Sequence, residues 1–235
     1  CTWSYGQQHT ETVRQEIVFE QPPADNVFYL ANINGNVTTE AYNGDKVLLE
    51  ARISLEAESS EQLKQAQSDI GIGRMDLQDT VIIYVKNPCN PFGKRKDNWK
   101  GKNKTEWGYS WEQNCKQREN YSYTINFTLK VPAQINLYIS TINKGDVSVN
   151  GVRGNLALYN VNGSIAMEEG AGITTAYTIN GDVDMIYSQT PGGSSRYYTL
   201  NGDINAWYPQ NFGADISFKS RNGDLYTDIT ELEYL

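Results

Sequence analysis

Histidine occurs once in this 235-residue chain, and cysteine and methionine three times each. The lone His9 excludes a histidine-based triad or a multi-histidine metal site within the chain. No apolar run approaches the roughly 18 residues of a membrane-spanning helix. Apolar periodicity of helical length is scarce as well. Positive charge is in short supply: 20 Lys and Arg stand against 28 Asp and Glu, and the net −8 argues against general nucleic-acid binding. Tyrosine (16) and glycine (20) are plentiful, which points to an all-β protein rich in turns.

One phrase recurs. Asn143-Lys144-Gly145-Asp146-Val147, Asn162-Gly163-Ser164-Ile165, Asn180-Gly181-Asp182-Val183, Asn201-Gly202-Asp203-Ile204 and Asn222-Gly223-Asp224-Leu225 are variants of it. Their glycines lie 18, 18, 21 and 21 residues apart. Weaker phrases fall between them, at Gly154-Asn155 and Gly172-Ile173. Asn-Gly is a turn dipeptide, because both residues tolerate positive φ. Apolar residues then alternate with small or polar ones, as in Val147 and Val149 or Val183 and Met185, which is the period of a strand. Each unit is thus a turn followed by a short strand with one apolar face.

Two architectures fit such units. Asn-Gly between alternating runs also signals a hairpin, and hairpins in series give an antiparallel meander. A meander requires no superperiod, whereas stacked repeats do. The spacing therefore favours a parallel β-solenoid of about 18–21 residues per coil. Aligned coils put Thr141, Asn160, Thr178, Thr199 and Ser220 in one column, and Ile142, Val161, Ile179, Leu200 and Arg221 in the next. Asn and Thr stacked at the strand spacing of roughly 4.8 Å can hydrogen-bond along the stack. The polar Arg221 in an apolar column predicts that the last phrase is the last coil.

Taken in order, residues 1–26 read as a polar tether and a first strand, and residues 27–235 as the solenoid domain. The tether covers roughly residues 2–14, and strand character starts near Glu16. Early phrases at Asn34-Gly35 and Asn43-Gly44 place the start of the repeats near residue 27. Residues 59–70 are the one good helix, short, with Ser59 and Gln62 as a capping box. The chain begins with Cys1, the residue that a cleaved bacterial lipoprotein precursor retains and lipidates; an arbitrary boundary is the alternative. Lipidation of Cys1 would make the lipid anchor the protein's contact with a membrane. Cys89 and Cys115 form an even pair, read as a disulfide in an exported protein or else as two free thiols. A bridge would close a loop of about 27 residues, contributing roughly 3 kcal/mol in the chain-entropy model.

Residues 87–120 break the grammar. From Lys86 to Glu119, nine Lys and Arg oppose four Asp and Glu, so this stretch carries +5 and the remainder −13. Three of the five tryptophans fall here, with Pro88 and Pro91 and no sustained period. It reads as a long inserted loop clamped by the cysteine pair, and long ordered loops commonly carry function. Aromatic faces stack on sugar rings and cations attract acidic groups. Trp99, Trp107, Tyr109 and Trp111 with Lys94, Arg95 and Lys96 are therefore the candidate ligand-binding residues, supported by Lys100, Lys102 and Lys104. The competing reading has the tryptophans folding onto the solenoid as a local core. Tyr177, Tyr197, Tyr198 and Trp207 read as outer-face strand residues.

The run from Tyr123 through Lys130-Val131-Pro132 leads into Leu137-Tyr138-Ile139-Ser140-Thr141-Ile142-Asn143-Lys144-Gly145-Asp146-Val147. With the successive Asn-Gly-Asp phrases and Trp207-Tyr208-Pro209, these runs resemble the bacterial candidate-adhesin family of domains of unknown function, also called toast-rack domains. The resemblance spans roughly residues 27–230. It implies a β-solenoid and an exported or membrane-tethered envelope protein with a role in adhesion. It supplies no catalytic residues, and the tryptophan-rich basic loop departs from it.

Chemistry is weighed last. Asp146, Asp182, Asp203 and Asp224 share a column interrupted by Ser164. Stacked carboxylates could hold Ca²⁺, with Asp182, Asp203 and Asp224 the weak candidate set; otherwise each Asp accepts backbone N–H bonds at its own turn. The repeat accounts for every prominent Asp, no cofactor is implied, and catalysis is not expected. The chain thus reads as a non-enzymatic envelope lipoprotein, on the outer membrane, surface or periplasmic face. Its solenoid would present a surface for glycan or protein binding. A structural or sensing role against envelope proteins is the first alternative, and a polysaccharide-cleaving β-helix enzyme using paired carboxylates the second. Open solenoid ends also permit self-association.

Overall fold

The computed structural model describes residues 6–97, 104–111, 115, 120–210 and 212–228. Cys1 and Trp99 lie outside these residues. The chain opens with strand β1 (Gln7–Ile17), followed by β2 (Val27–Ala31), β3 (Val37–Tyr42), β4 (Val47–Ala57) and helix α1 (Ser60–Asp69). Next come β5 (Gly71–Asp76), β6 (Thr80–Lys86), β7 (Phe92–Asp97), β8 (Lys104–Tyr109) and β9 (Tyr121–Pro132). The repeats supply β10 (Asn136–Ser140), β11 (Val147–Asn150), β12 (Leu156–Tyr159), β13 (Ile165–Gly170), β14 (Thr174–Tyr177), β15 (Val183–Tyr187), β16 (Arg196–Tyr198) and β17 (Ile204–Trp207).

These strands form two large sheets and one small one. One large sheet has the order β1-β4-β9-β3-β11-β13-β15-β17, the other β16-β14-β12-β10-β2-β6-β5, and β7 pairs with β8. From β9 and β6 onward the ladders are parallel, and the chain alternates between the two large sheets. Each pass makes a tier: a strand in the second sheet, an Asn-Gly turn, and a strand in the first. The parallel ladders exclude a meander for this part of the chain.

Register follows the repeat. Phe127, Val37, Val147, Ile165, Val183 and Ile204 form one column across the first sheet. Val81, Phe28, Leu137, Leu156 and Thr174 form another across the second. Both columns face the interior, and all their members except Ile204 are buried. Period-two alternation with small β-branched or unbranched side chains lets two sheets close on each other with one apolar face each.

Tiers do not follow chain order throughout. The tier of β2 and β3 stacks directly on that of β10 and β11, with Asn34 bridged to Asn143. Behind it lies a tier made of β6 and β9, which come later in the chain. Residues 43–79 leave the stack and return: β4 inserts antiparallel between β1 and β9, and β5 pairs antiparallel with β6. The phrase at Asn43-Gly44 is therefore not a stacked repeat; it turns the chain from β3 into β4. Helix α1 packs on β4, β9 and β1, and Ser59 and Gln62 form the anticipated capping box at 3.1–3.2 Å.

Two expectations fail at the termini. The stretch read as a tether is strand β1, paired with β4 along all of Gln7–Ile17. An edge strand takes its backbone ladder from one neighbour and needs little apolar surface; of its residues Ile17 alone is fully buried. Its polar sequence therefore hid it. At the other end, the phrase around Gly223 lies off the stack in this structure: residues 212–228 contain no strand and are exposed or partly exposed throughout.

The glycine of each turn is set by stacking. A Cβ on Gly181 would run into the carbonyl of Gly163, and its φ of +155° is unfavourable for other residues. Gly181→Ala is expected to lower stability by about 2 kcal/mol, measured by chemical denaturation. A loss below about 0.5 kcal/mol, the range of ordinary surface changes, would show that the two turns are not in contact.

Candidate functional site

The polar side chains of the repeats are engaged between tiers. Asn162 donates to Asn143 Oδ1 (3.1 Å), Asn180 to Asn162 (2.8 Å) and Asn201 to Asn180 (2.8 Å). Two places earlier in each phrase, Thr141 donates to the Gly35 carbonyl, Asn160 to Gly145, Thr178 to Gly163 and Thr199 to Gly181, at 2.8–3.0 Å. The stacked Asn and Thr ladders expected from sequence are thus present.

The acidic column has a different use from either one anticipated. Asp146 Oδ1 accepts from the Ser164 N–H (2.8 Å), Ser164 Oγ from the Asp182 N–H (3.1 Å), and Asp182 Oδ1 from the Asp203 N–H (2.9 Å). Asn126 and Asn36 continue the series toward β9. Each side chain caps an amide of the next tier rather than of its own turn. Ser164 does not interrupt the column, because a hydroxyl accepts the same bond. Asp224 stands apart from this ladder, with its carboxylate 3.5 Å from the Tyr226 hydroxyl. Among the described residues, no group of three or more His, Cys, Asp or Glu side chains is placed to hold a metal ion.

The inserted segment is not a plain loop. It contains the antiparallel β7–β8 hairpin, with Lys94 opposite Trp107, Arg95 opposite Glu106 and Lys96 opposite Thr105 along the backbone. Cys89 and Cys115 are joined in a disulfide with Cα atoms 5.4 Å apart. Tyr109 is 5% exposed; its hydroxyl donates to the Ala31 carbonyl (2.8 Å) and accepts from the Val85 N–H (2.8 Å). The hydroxyl therefore pins the hairpin to β2 and β6, and Tyr109 is no ligand contact. Phe92 stacks on Tyr84 (4.8 Å) and Trp107 (6.0 Å). Trp107 is half-buried, and the Lys94 ammonium lies 5.3 Å from its ring centre. The local-core reading accounts for Tyr109 and Trp107. Trp111, at 46% exposure, stays outward.

The hairpin continues into a feature that the sequence reading passed over. On the outer face of the second sheet, Phe92 meets Tyr29, and Tyr29 stacks on Tyr138 (4.1 Å, 9°). Tyr138 then meets Tyr159 (5.1 Å), Tyr159 meets Tyr177 (6.5 Å), and Tyr177 stacks on Tyr198 (4.6 Å, 10°). The signal was available three places before each Asn, where Ser140, Tyr159, Tyr177, Tyr198 and Lys219 align. Stacked rings cover one another's faces, so the exposed pair Tyr177 and Tyr198 presents ring edges. Tyr177 and Tyr198 are 40% and 43% exposed, as expected of outer-face residues.

Tyr197 points the other way. It packs against the core, with its hydroxyl 2.7 Å from that of Tyr187 and 3.0 Å from that of Tyr208. Burial, then the two neighbouring hydroxyls, push its pKa well above the ordinary 10.0. Burial does the same to Tyr109 and Tyr121, where Asp69 adds to it. A phenol held neutral in the fold but free to ionise when unfolded binds more protons in the folded state above pH 10.0. Stability is expected to be unaffected by these groups below that pH and to fall as pH rises past it. Tyr197→Phe should lessen the alkaline slope of stability by about one proton. An unchanged slope would contradict the burial of this hydroxyl.

No protein-family model matches the sequence, and no curated protein does. Solved structures do resemble it. A candidate cell adhesion protein from Clostridium sporogenes is 11% identical, over 87% of this chain and 100% of that one, at a TM-score of 0.36. A candidate lipid-binding protein from Parabacteroides distasonis is 11% identical, over 86% and 98%, at 0.30. A candidate adhesin from Bacteroides fragilis is 10% identical, over 83% and 97%, at 0.24. Likenesses this distant carry no argument about function. What stands on the chain's own residues is a mostly-β protein with stacked parallel strands and an aromatic outer face.

Proposed function

We propose that the chain is a β-solenoid that works as a non-enzymatic binding protein of the bacterial cell envelope, of adhesin type. One observation supports this above the others. The Asn, Thr, Ser and Asp side chains of the repeats are spent on bonds between tiers, whereas Tyr177 and Tyr198, which end the aromatic file, are exposed. Side chains that hold a backbone in place are poorly suited to proton transfer or nucleophilic attack. An aromatic file crossing the tiers suits an extended partner, a glycan strand or a protein segment lying along them. Contact would come through the ring edges of Tyr177 and Tyr198, with Trp111 exposed at the hairpin end.

The test is binding of purified protein to a glycan array and to crosslinked envelope fractions. The double variant Tyr177→Ala, Tyr198→Ala should weaken binding at least about tenfold, in keeping with aromatic anchors at interfaces. Trp111→Ala should weaken it if the hairpin end takes part. Retained affinity in the double variant would reject the tyrosine file as the surface. Mass spectrometry of the native N-terminus tests the envelope placement: an acyl chain on Cys1 supports it, and an unmodified Cys1 removes it. Release of reducing ends from any bound glycan would overturn the non-enzymatic reading.

A further inference from the structure

The stack ends at β16 and β17 with its interior open. Ile204 faces inward in register with Val183, yet is 44% exposed, whereas Val183 and Ile165 are 0% exposed. Leu200 is 62% exposed, and Tyr197 is only partly buried against the core. Among the described residues, nothing hydrogen-bonds to the Gly202 carbonyl, Asn201 Oδ1 or Asp203 Oδ1. The equivalent acceptors at the turns of Gly145, Gly163 and Gly181 are all satisfied by the following tier.

Just downstream lies a segment that matches this end. Shifted by the 21 residues that separate Gly181, Gly202 and Gly223, Phe218 falls on Tyr197, Ser220 on Thr199, Asn222 on Asn201, Asp224 on Asp203 and Leu225 on Ile204. Phe218 and Leu225 are 57% and 58% exposed where they lie in this structure. Gly223 already has φ +138°, close to +158°, +155° and +153° at Gly163, Gly181 and Gly202. The turn has its stacked form without its stack.

We propose that residues 217–228 are a strap that closes this end, docking on β16 and β17 of its own chain as one further tier. Phe218 and Leu225 would cover Tyr197 and Ile204. Ser220 would donate to the Gly202 carbonyl, Asn222 to Asn201 Oδ1, and the Asp224 N–H to Asp203 Oδ1. Lys219 would sit against the outer ring of Tyr198, and Arg221 would put charge on the terminal surface. A polar terminal tier is what a stack of repeats needs to stay soluble and to keep its edge from pairing with another molecule. The equal spacing of 21 residues means the connection is as long as the one that seats β16 and β17. A tethered segment is present at an effective concentration on the order of millimolar, so it outcompetes a second copy at micromolar concentration. The inference does not depend on what the tyrosine face binds.

The experiment is amide hydrogen exchange on the full-length chain at two protein concentrations, in wild type and Gly223→Val. The wild type should exchange residues 217–228 at least about a hundredfold more slowly than an unstructured chain, equally at both concentrations. In Gly223→Val, a Cβ would meet the Gly202 carbonyl as it would at the earlier turns, so protection of 217–228 should vanish while that of β14 and β15 persists. Exchange at the unstructured rate in the wild type overturns the proposal. Protection that appears only at the higher concentration, with a dimer on sizing, overturns own-chain docking in favour of exchange between copies. Protection that survives in Gly223→Val overturns the register.

Discussion

The fold depends on the bond between a side chain of one tier and the turn carbonyl of the tier before it. Thr178 on Gly163 and Thr199 on Gly181 are two instances, at 2.9 and 2.8 Å. Such a bond requires the carbonyl to point along the stack and the next turn to approach within reach. The close approach leaves no room for a Cβ, which explains glycine at those places. The turns themselves add the Asn ladder and the Asp–Ser–Asp amide caps on either side. Buried backbone groups at a tight corner are costly unless bonded, so these ladders let the chain turn repeatedly without orphaned polar atoms.

That use of side chains bears directly on function. An Asp that accepts an amide from its neighbour tier is held in place by that bond and serves the stack. The outer face of the second sheet is built differently, from aromatic rings. There, neighbouring tiers place Tyr159, Tyr177 and Tyr198 one above another at the strand spacing, the first pair tilted and the second stacked. The face is aromatic and runs along the stack from the hairpin to β16.

The hairpin occupies a particular place. It lies between β6 and β9, where the other tiers have an Asn-Gly turn, so the tier is kept and its turn replaced by the β7–β8 excursion. The Tyr109 hydroxyl, bonded to Ala31 and Val85, holds the hairpin down, and the Cys89–Cys115 bridge joins its two flanks. Much of its aromatic content goes to that docking. Trp111 and the Lys94–Trp107 pair remain toward solvent at one end of the tyrosine file.

The sequence by itself determined the local unit. Asn-Gly turns, period-two strands and the columns of Thr and Asn were legible because each is a short-range rule repeated at fixed spacing. The capping box at Ser59 was legible as another short-range rule, and the pairing of Cys89 with Cys115 because they are the two cysteines left beside Cys1. Tertiary structure alone decided the order of tiers: that β6 and β9 stack behind β2 and β3, and that Asn43-Gly44 leaves the stack. It also decided that β1 is a strand, and that Tyr109 and Tyr197 turn inward while Tyr177 and Tyr198 turn out. Those outcomes turn on which surfaces find partners far away in the chain. A strand edge, or a ring with a polar tip, reads the same in sequence whether or not its partner is there.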